Sequence, residues 1–315
     1  MAATGARLTP AGVRLPNFFI AGVPKAGTTA LHAYLAQHPQ IYMSRIKEPT
    51  FFAAPDLLSD PYRARFLKWL ERDPLVLRAF LRDGEKRPAR HWVLRWDEYV
   101  ELFRGVRDEI AVGEATVNYF WLPSAAGEVR AQVPDARLVF LLRHPAERLF
   151  SWYLLALWSD HRLPFRDWFE RARQPDAVWW PAVDAGRYAT HLSRFFGLFP
   201  RTQIHVQLYE DFRRDPGAAL RDIFAFLAVD PDRRIDVTRR HNETVVPRFP
   251  AFDRLRRRLF GDRGARVLWR FERLYYRRRS DFTFDPRDRQ MVTEYYREEV
   301  ERTGELIGRD LTAWQ

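Results

Sequence analysis

The chain contains short apolar runs that are separated by longer segments of mixed polarity. Four of these runs have the length of buried strands. They are residues 18–21, 110–113, 138–142 and 204–208. Between them, apolar residues recur at helical spacing, as Leu31 and Leu35 do after the first run. Buried strands that alternate with helices predict an α/β fold of three layers, in which a central, mostly parallel sheet is flanked by helices.

The length of the chain fits one domain, which we place at residues 15–315. A hydrophobic content of 46% is enough for a sizeable core and excludes global disorder. Residues 56–98, rich in Arg, Trp, Asp and Pro, are predicted to be an insertion that forms a lid or an acceptor wall over the sheet edge. Residues 250–315 are predicted to be a helical C-terminal part, with its last long helix at 287–307.

A glycine loop follows the first predicted strand and precedes a helix. Its sequence is Gly22-Val23-Pro24-Lys25-Ala26-Gly27-Thr28-Thr29. A strand, a glycine loop and a helix in this order turn backbone N–H groups toward an anion, so the predicted fold is P-loop-like. The loop departs from the Walker A pattern, because Thr28 stands where the lysine after the second glycine belongs. Lys25, placed earlier in the loop, suits a shorter anion such as a 5′-phosphosulfate.

The choice of lysine inside this loop is itself informative. Of the 52 basic residues only four are lysines, namely Lys25, Lys47, Lys68 and Lys86. A compact ammonium group fits a tight loop as a point charge, which a planar guanidinium does not. We therefore predict a functional role for Lys25. The alternative is a tight strand-to-helix turn with an exposed lysine.

A second anion-binding signal stands at the end of the third apolar run. Arg143 follows that run directly, Pro145 is well placed as the first residue of a helix, and Ser151 lies about two turns into it. Open parallel sheets bind ligands beyond the carboxyl ends of their strands, where both this arginine and the glycine loop would lie. Two such sites predict a ligand with two separated anionic groups. A simple ion pair of Arg143 with a carboxylate is the alternative.

A third signal is the segment Lys47-Glu48-Pro49-Thr50-Phe51-Phe52. Pro49 is expected to keep Glu48 in an extended conformation. The two phenylalanines would pin the segment to the core. A carboxylate held in this way is a candidate general base. A salt-bridged surface loop is the alternative interpretation.

Taken together, these motifs resemble the sulfotransferases that use 3′-phosphoadenosine 5′-phosphosulfate (PAPS), especially the branch with the heparan sulfate N- and 3-O-sulfotransferase domains and their bacterial relatives. The resemblance implies that the loop binds the 5′-phosphosulfate through Pro24, Lys25, Ala26, Gly27, Thr28 and Thr29. It also implies that Arg143 and Ser151 bind the 3′-phosphate, and that Lys25 and Glu48 are the catalytic residues.

Further segments look like landmarks of the same family. They are 114–119, Arg187-Tyr188, 208–212 and 307–314, with Tyr188 expected at the cofactor. The chain also departs from the family. Ala115 stands where members that sulfate heparan often have a lysine, and the cysteine pair near their cofactor site is absent. Segment 241–248 takes that place, and Arg248 is expected to close over the adenosine phosphate. These departures weaken a heparan acceptor and leave the cofactor expectation intact.

The predicted function is transfer of the sulfuryl group of PAPS to a hydroxyl or amine of a carbohydrate, lipid or natural product. Adenosine 3′,5′-bisphosphate is the other product, and no metal is expected. One alternative is a P-loop kinase or NTPase, with the run at 204–208 leading to Glu210 and Asp211 as a magnesium-binding strand. For the base alone, His161 or His191 is an alternative to Glu48.

Charge and termini add two expectations. The net charge of +11 is concentrated at 254–279, where eleven arginines face two acids in an amphipathic pattern. This stretch is either a solvated helix face or a basic surface for an acidic substrate or an anionic membrane, and the latter would make the chain a membrane-surface binding protein. Nothing resembles a nucleic-acid module. Without a signal peptide or an apolar run of ~20 residues, and without cysteine, the chain is predicted to be cytoplasmic.

Overall fold

The computed structural model of the chain describes residues 12–59, 93, 95–157, 163–177, 179–238, 245–247, 276–278 and 281–315. Within these residues, every helix is too short or too polar to cross a lipid bilayer.

Five parallel strands form the central sheet. They are β1 (Phe18–Gly22), β2 (Ile41–Met43), β3 (Ala111–Ala115), β4 (Arg137–Leu142) and β5 (Ile204–Leu208). Their order across the sheet is β2-β3-β1-β4-β5, so β1 lies at the centre. Every residue of β1 and β3 is buried, because helices cover both faces of the sheet. The predicted fold class is confirmed. Strand β2 escaped prediction because three residues with a half-buried Tyr42 at their centre make no distinct apolar run.

Helices connect the strands and flank the sheet. They are α1 (Thr28–Leu35), α2 (Ala54–Leu58), α3 (Trp96–Glu101), α4 (Ala125–Gln132), α5 (Pro145–Ala156), α6 (Phe165–Ala172), α7 (Trp180–Asp184), α8 (Tyr188–Leu198), α9 (Tyr209–Arg214), α10 (Pro216–Leu227), α11 (Pro286–Tyr295) and α12 (Arg297–Ile307). Short 3₁₀ turns occur at Phe51–Ala53, Val117–Phe120, Arg201–Gln203 and Thr312–Trp314. As predicted, α5 begins at Pro145, and the ring of His144 caps it by accepting a hydrogen bond from the N–H of Ala146.

The C-terminal part differs from the prediction in two places. The long helix expected at 287–307 is divided at Tyr296 into α11 and α12, and the Tyr296 hydroxyl donates to the carbonyl of Val183 at 2.6 Å. The expectation of an all-helical part is wrong at Tyr276–Arg278. These residues form strand β7, which pairs antiparallel with β6 (Val245–Pro247), because the β-branched Val245 and Val246 favour a strand partner.

Most of two predicted features lies outside the described residues. Of the basic stretch at 254–279, the structure describes only β7. Of the predicted lid at 56–98, it describes the two ends, which include most of α2 and the start of α3. The C-terminal 3₁₀ turn buries Trp314, whose ring lies 6.1 Å from that of Tyr188 and 6.3 Å from that of His144. The end of the chain therefore packs beneath the residues that follow β4.

Candidate active site

The sheet brings the predicted site residues to one edge. Lys25 follows β1 and Arg143 follows β4, both at the carboxyl ends of adjacent strands. Glu48 follows β2 and reaches the end of β3, where its N–H donates to the carbonyl of Ala115 at 2.8 Å. This edge is where open parallel sheets bind their ligands. Residues about a hundred positions apart in sequence therefore share one site.

The loop after β1 has the conformation that an anion-binding turn requires. Both Lys25 (φ 69°) and Gly27 (φ 91°) are left-handed, and the carbonyl of Gly27 accepts the N–H groups of Ala30 and Leu31 in the first turn of α1. A Cβ on Gly27 would lie 2.9 Å from Cε2 of Tyr209. Glycine is thus needed here both for its backbone freedom and for its small size.

Arg143 is fixed at both its backbone and its side chain. Its Nη1 donates to the carbonyl of Lys25 at 3.1 Å, and its guanidinium lies 4.9 Å above the centre of the Tyr209 ring. Its own carbonyl accepts the hydroxyl of Tyr188 at 2.6 Å. An ion pair of 3.8 Å with Glu147 is present as well. Arg143 therefore connects β4 directly to the glycine loop.

Positive charge is concentrated around Lys25. Burial, together with the charges of Arg143 and Lys47, lowers the pKa of Lys25 to about 8. Like charges held close together are stabilised by an anion that binds between them. The residues present therefore fit the anionic groups of a phosphosulfate.

Lys47 is a site residue to which the sequence analysis gave no role. Its Nζ donates to Oε1 of Glu48 at 2.6 Å, and its charge contributes to the lowered pKa of Lys25. The scarcity of lysine that drew attention to Lys25 applies equally to Lys47. Both lysines in the described part of the chain meet at this edge of the sheet. That scarcity was the signal that could have identified Lys47.

The prediction of an extended Glu48 is wrong. Glu48 (φ 60°) and Thr50 (φ 63°) are both left-handed, on either side of Pro49. Such a conformation costs about 1–3 kcal/mol per residue and persists only where the surroundings fix it. Three hydrogen bonds fix this conformation. The N–H of Glu48 donates to the carbonyl of Ala115, and the N–H of Val117 donates to Oε2 of Glu48 at 2.9 Å. Oγ1 of Thr50 donates to the carbonyl of Glu48 at 2.8 Å.

Contact with the neighbouring segment brings Trp96 to Phe51, in the loop that also carries Glu48. The N–H of Val93 donates to the carbonyl of Pro49 at 2.8 Å, so the end of the predicted lid lies against this loop. The ring of Trp96, which is 41% exposed, lies 5.7 Å from that of Phe51. Trp179, by contrast, is buried in the core.

The remaining predicted cofactor residues fall into three groups. Pro24, Ala26 and Thr28 are buried and Thr29 is half-buried in the loop and the start of α1, and Ser151 is buried in α5, the helix that follows Arg143. Tyr188 is completely buried, and its hydroxyl donates to the carbonyl of Arg143, so it helps to position that arginine. Its contact with a cofactor stays a prediction. Arg248 lies outside the described residues.

Of the two histidines that are alternatives to Glu48 as the base, the structure describes only His191. His191 is buried, and its ring nitrogens contact the carbonyl of Asp184 at 2.8 Å and Nη2 of Arg194 at 2.7 Å. These contacts give it a structural role in α8. His161 lies outside the described residues.

The acidic pair considered as a magnesium site has structural partners. Oε1 of Glu210 accepts the N–H of His144 at 3.0 Å. Asp211 pairs with Arg214 at 2.7 Å and with Arg309 at 2.8 Å. Glu210 thus supports the turn after β4, and Asp211 fastens the C-terminal end of the chain to α9.

Comparison with known proteins agrees with this geometry. The sequence profile of the sulfotransferase family matches residues 16–233. The crystal structure of a sulfotransferase from Alicyclobacillus acidocaldarius is similar with 30% identity and a TM-score of 0.69, over 96% of this chain and 99% of that one.

Two human proteins are more distant relatives. The bifunctional heparan sulfate N-deacetylase/N-sulfotransferase 2 is 23% identical over 69% of this chain and 22% of its own length. Carbohydrate sulfotransferase 15 is 22% identical over 96% of this chain and 55% of its own length. The match thus spans about a fifth of the first relative and about half of the second.

Proposed function

Because the chain belongs to the sulfotransferase family, we propose that it transfers the sulfuryl group of PAPS to a hydroxyl or amine group of a carbohydrate, lipid or natural product. The observation that carries the proposal is the meeting of Lys25, Lys47 and Arg143 with the fixed carboxylate of Glu48 at one edge of the sheet. Cations suit a donor with several anionic groups. A carboxylate suits the removal of a proton from an acceptor.

The cationic residues would hold the donor at two points. We assign the 5′-phosphosulfate to the loop from Pro24 to Thr29 and the 3′-phosphate to Arg143 and Ser151. Tyr188 contributes by fixing the carbonyl of Arg143. The described residues do not include Arg248, whose contact with the adenosine stays a prediction, as do the single domain at 15–315 and the membrane contact of 254–279.

Two residues divide the chemistry between them. Bound PAPS supplies the activated sulfuryl group. Lys25 neutralises the negative charge that develops on the leaving phosphate oxygen, an effect that is stronger in a water-poor site than in solvent. Glu48 accepts the proton of the acceptor hydroxyl or amine from the opposite side. Lys47 donates to Oε1 of Glu48, and the N–H of Val117 donates to Oε2. Together the two hydrogen bonds orient the carboxylate.

The acceptor is placed next to the aromatic side chains that adjoin Glu48. Phe51 and the exposed face of Trp96 would stack on a ring of the acceptor. Carbohydrate sulfotransferase 15 among the relatives supports a sugar ring. The replacement of the family lysine by Ala115, which is buried in β3, argues against a heparan acceptor.

The function is tested by incubating the full chain with ³⁵S-labelled PAPS and a panel of acceptors. The panel holds unsulfated heparosan, an alkyl glucoside and p-nitrophenol, and each labelled product is identified by mass spectrometry. We expect transfer to at least one of them and release of adenosine 3′,5′-bisphosphate. Absence of both transfer and binding of adenosine 3′,5′-bisphosphate would contradict the proposal.

A further inference from the structure

The carboxyl group of Glu114 in β3 is completely buried. It lies next to residues 48–52, here called the Glu48 segment. Three hydroxyl groups surround the carboxyl group. Tyr99 donates to Oε2 at 2.5 Å, Thr116 donates to Oε1 at 2.8 Å, and Tyr119 also forms a hydrogen bond to the carboxyl group. Burial of a carboxyl group is costly unless it is hydrogen-bonded. The proposed chemistry does not use Glu114, so its burial requires another explanation.

Two of these hydroxyls connect Glu114 to the Glu48 segment. Oγ1 of Thr116 accepts the N–H of Thr50 at 3.3 Å, and the hydroxyl of Tyr119 accepts the N–H of Phe52 at 3.2 Å. A hydroxyl has one proton to donate. When that proton points at Glu114, the lone pairs are left for the backbone N–H groups. The carboxyl group therefore sets the orientation of both hydroxyls.

The segment held in this way carries the proposed base. Thr50 is left-handed, and its own hydroxyl donates to the carbonyl of Glu48 at 2.8 Å. Two left-handed residues that are not glycine flank Pro49, and they need fixed partners to persist. The two hydroxyls behind them provide such partners.

We propose that Glu114 is a positioning residue for Glu48, acting through Thr116 and Tyr119 to hold residues 48–52 in the conformation that presents the Glu48 carboxylate at the sheet edge. The inference rests on the proposed function, in which Glu48 is the base. The third hydroxyl, that of Tyr99, lies in α3 together with Trp96. Glu114 thus contacts both α3, which carries Trp96, and the residues that hold the segment 48–52, which carries the proposed base.

The charge state of Glu114 decides whether this network is complete. The titratable groups that face it are Tyr99 from α3, Tyr119 from the 3₁₀ turn and Glu48 from its loop. Burial raises the pKa of Glu114 to about 7, the charge of Glu48 adds to the rise, and the three hydroxyl donors oppose it. Three donors match an ionised carboxylate, whereas a protonated one would direct its own O–H against one of them. The network is therefore complete above about pH 7 and loosens below it.

Two substitutions test the proposal, each for a different part of the network. Glu114→Gln removes the charge and places an NH₂ group against a hydroxyl donor. Thr116→Val removes the hydroxyl that holds the Thr50 N–H, and Thr116→Ser is the matched control that keeps it. The conformation of residues 48–53 is measured by hydrogen–deuterium exchange of the full chain, which requires no acceptor.

We expect both variants to accelerate amide exchange in residues 48–53 roughly tenfold. In Thr116→Val the buried N–H of Thr50 loses its acceptor, and in Glu114→Gln the hydroxyls of Thr116 and Tyr119 lose the carboxylate that orients them. Thr116→Ser and the amides of α1 should be unaffected. With the best acceptor of the ³⁵S panel, kcat should fall by a similar factor while the affinity for PAPS is retained. The wild-type kcat should also fall below about pH 7, and this acid limb should be absent from Glu114→Gln.

Unchanged exchange in both variants would overturn the proposal, and so would faster exchange with an unchanged kcat. If Glu114→Gln does not fold, the comparison of Thr116→Val with Thr116→Ser decides alone. A wild-type chain that neither transfers sulfate nor binds adenosine 3′,5′-bisphosphate contradicts the proposed function instead. In that case the exchange experiment still tests whether Glu114 holds the Glu48 segment.

Discussion

The site has two halves that differ in how they are built. The donor half, with Lys25 and Arg143, concentrates positive charge, and burial together with the neighbouring charges lowers the pKa of Lys25 to about 8. The acceptor half, with Glu48, fixes one carboxylate through backbone N–H groups and a second, buried carboxyl group. The difference indicates that the donor half stores unfavourable electrostatic energy which a bound anion relieves. The acceptor half instead stores backbone strain that sets the position of one base.

The largest expected effect separates the two halves by function. Glu48→Gln keeps the shape of the acceptor half but removes the base, so turnover should fall by ~10²–10⁴-fold. Affinity for adenosine 3′,5′-bisphosphate, which depends on the donor half, should change little. Calorimetry and the ³⁵S assay measure the two quantities, and Glu101→Gln on the exposed face of α3 is the control. Near-normal turnover would place the base elsewhere, with His161 to be tested next.

A smaller effect is expected within the donor half. Arg143→Ala should weaken binding of adenosine 3′,5′-bisphosphate by about 1.5–3 kcal/mol, because a charge-assisted contact with the 3′-phosphate is lost. Binding of adenosine 5′-phosphate, which lacks that group, should weaken much less. Isothermal titration of both nucleotides gives the comparison. Equal losses would show that Arg143 does not bind the 3′-phosphate.

The pH dependence of nucleotide binding should depend on the donor half alone. Lys25 has a lowered pKa of about 8, so the cation that binds the anion is lost as the pH rises through that value. Affinity for adenosine 3′,5′-bisphosphate should therefore be about tenfold lower at pH 9 than at pH 7, one pKa unit being a factor of ten. In Lys25→Arg the guanidinium stays charged, and this slope should vanish. A slope that persists in the variant would assign the titration to another group.

The smallest effect is expected at Trp96, the exposed aromatic residue next to Phe51. Trp96→Ala should raise the KM of a ring-bearing acceptor by about three- to tenfold, the value of one stacking contact. Trp96→Phe should retain most of the affinity. Binding of the nucleotide should be the same in both variants. A KM that does not change would move the acceptor away from α3.

The donor half was more readable from the sequence than the acceptor half. The glycine loop, the apolar strands and the proline after Arg143 are local signals, and the structure places them as expected. The placement of Lys25 and Arg143 at one edge of the sheet therefore followed from their positions directly after two predicted parallel strands. The missing strand β2 was too short to leave such a signal.

The acceptor half depends on contacts between distant residues. The N–H of Thr50 meets Oγ1 of Thr116, 66 positions along the chain, and this contact helps to hold a left-handed backbone that the local preference before proline opposes. The extended Glu48 was predicted from that local preference. The burial of Tyr188 and its hydrogen bond to the carbonyl of Arg143 are likewise properties of packing, which its sequence motif does not show.

Dependence on a metal ion distinguishes sulfuryl transfer at this site from phosphoryl transfer. A sulfuryl group carries less charge than a phosphoryl group, so we expect Lys25 and the loop amides to stabilise its transfer without a divalent cation. The measurement is the rate of ³⁵S transfer from PAPS with Mg²⁺ and with EDTA, alongside γ-³²P-labelled ATP as the competing donor. We expect equal rates from PAPS under both conditions and no transfer from ATP. An absolute requirement for Mg²⁺, with label transferred from ATP, would contradict this expectation.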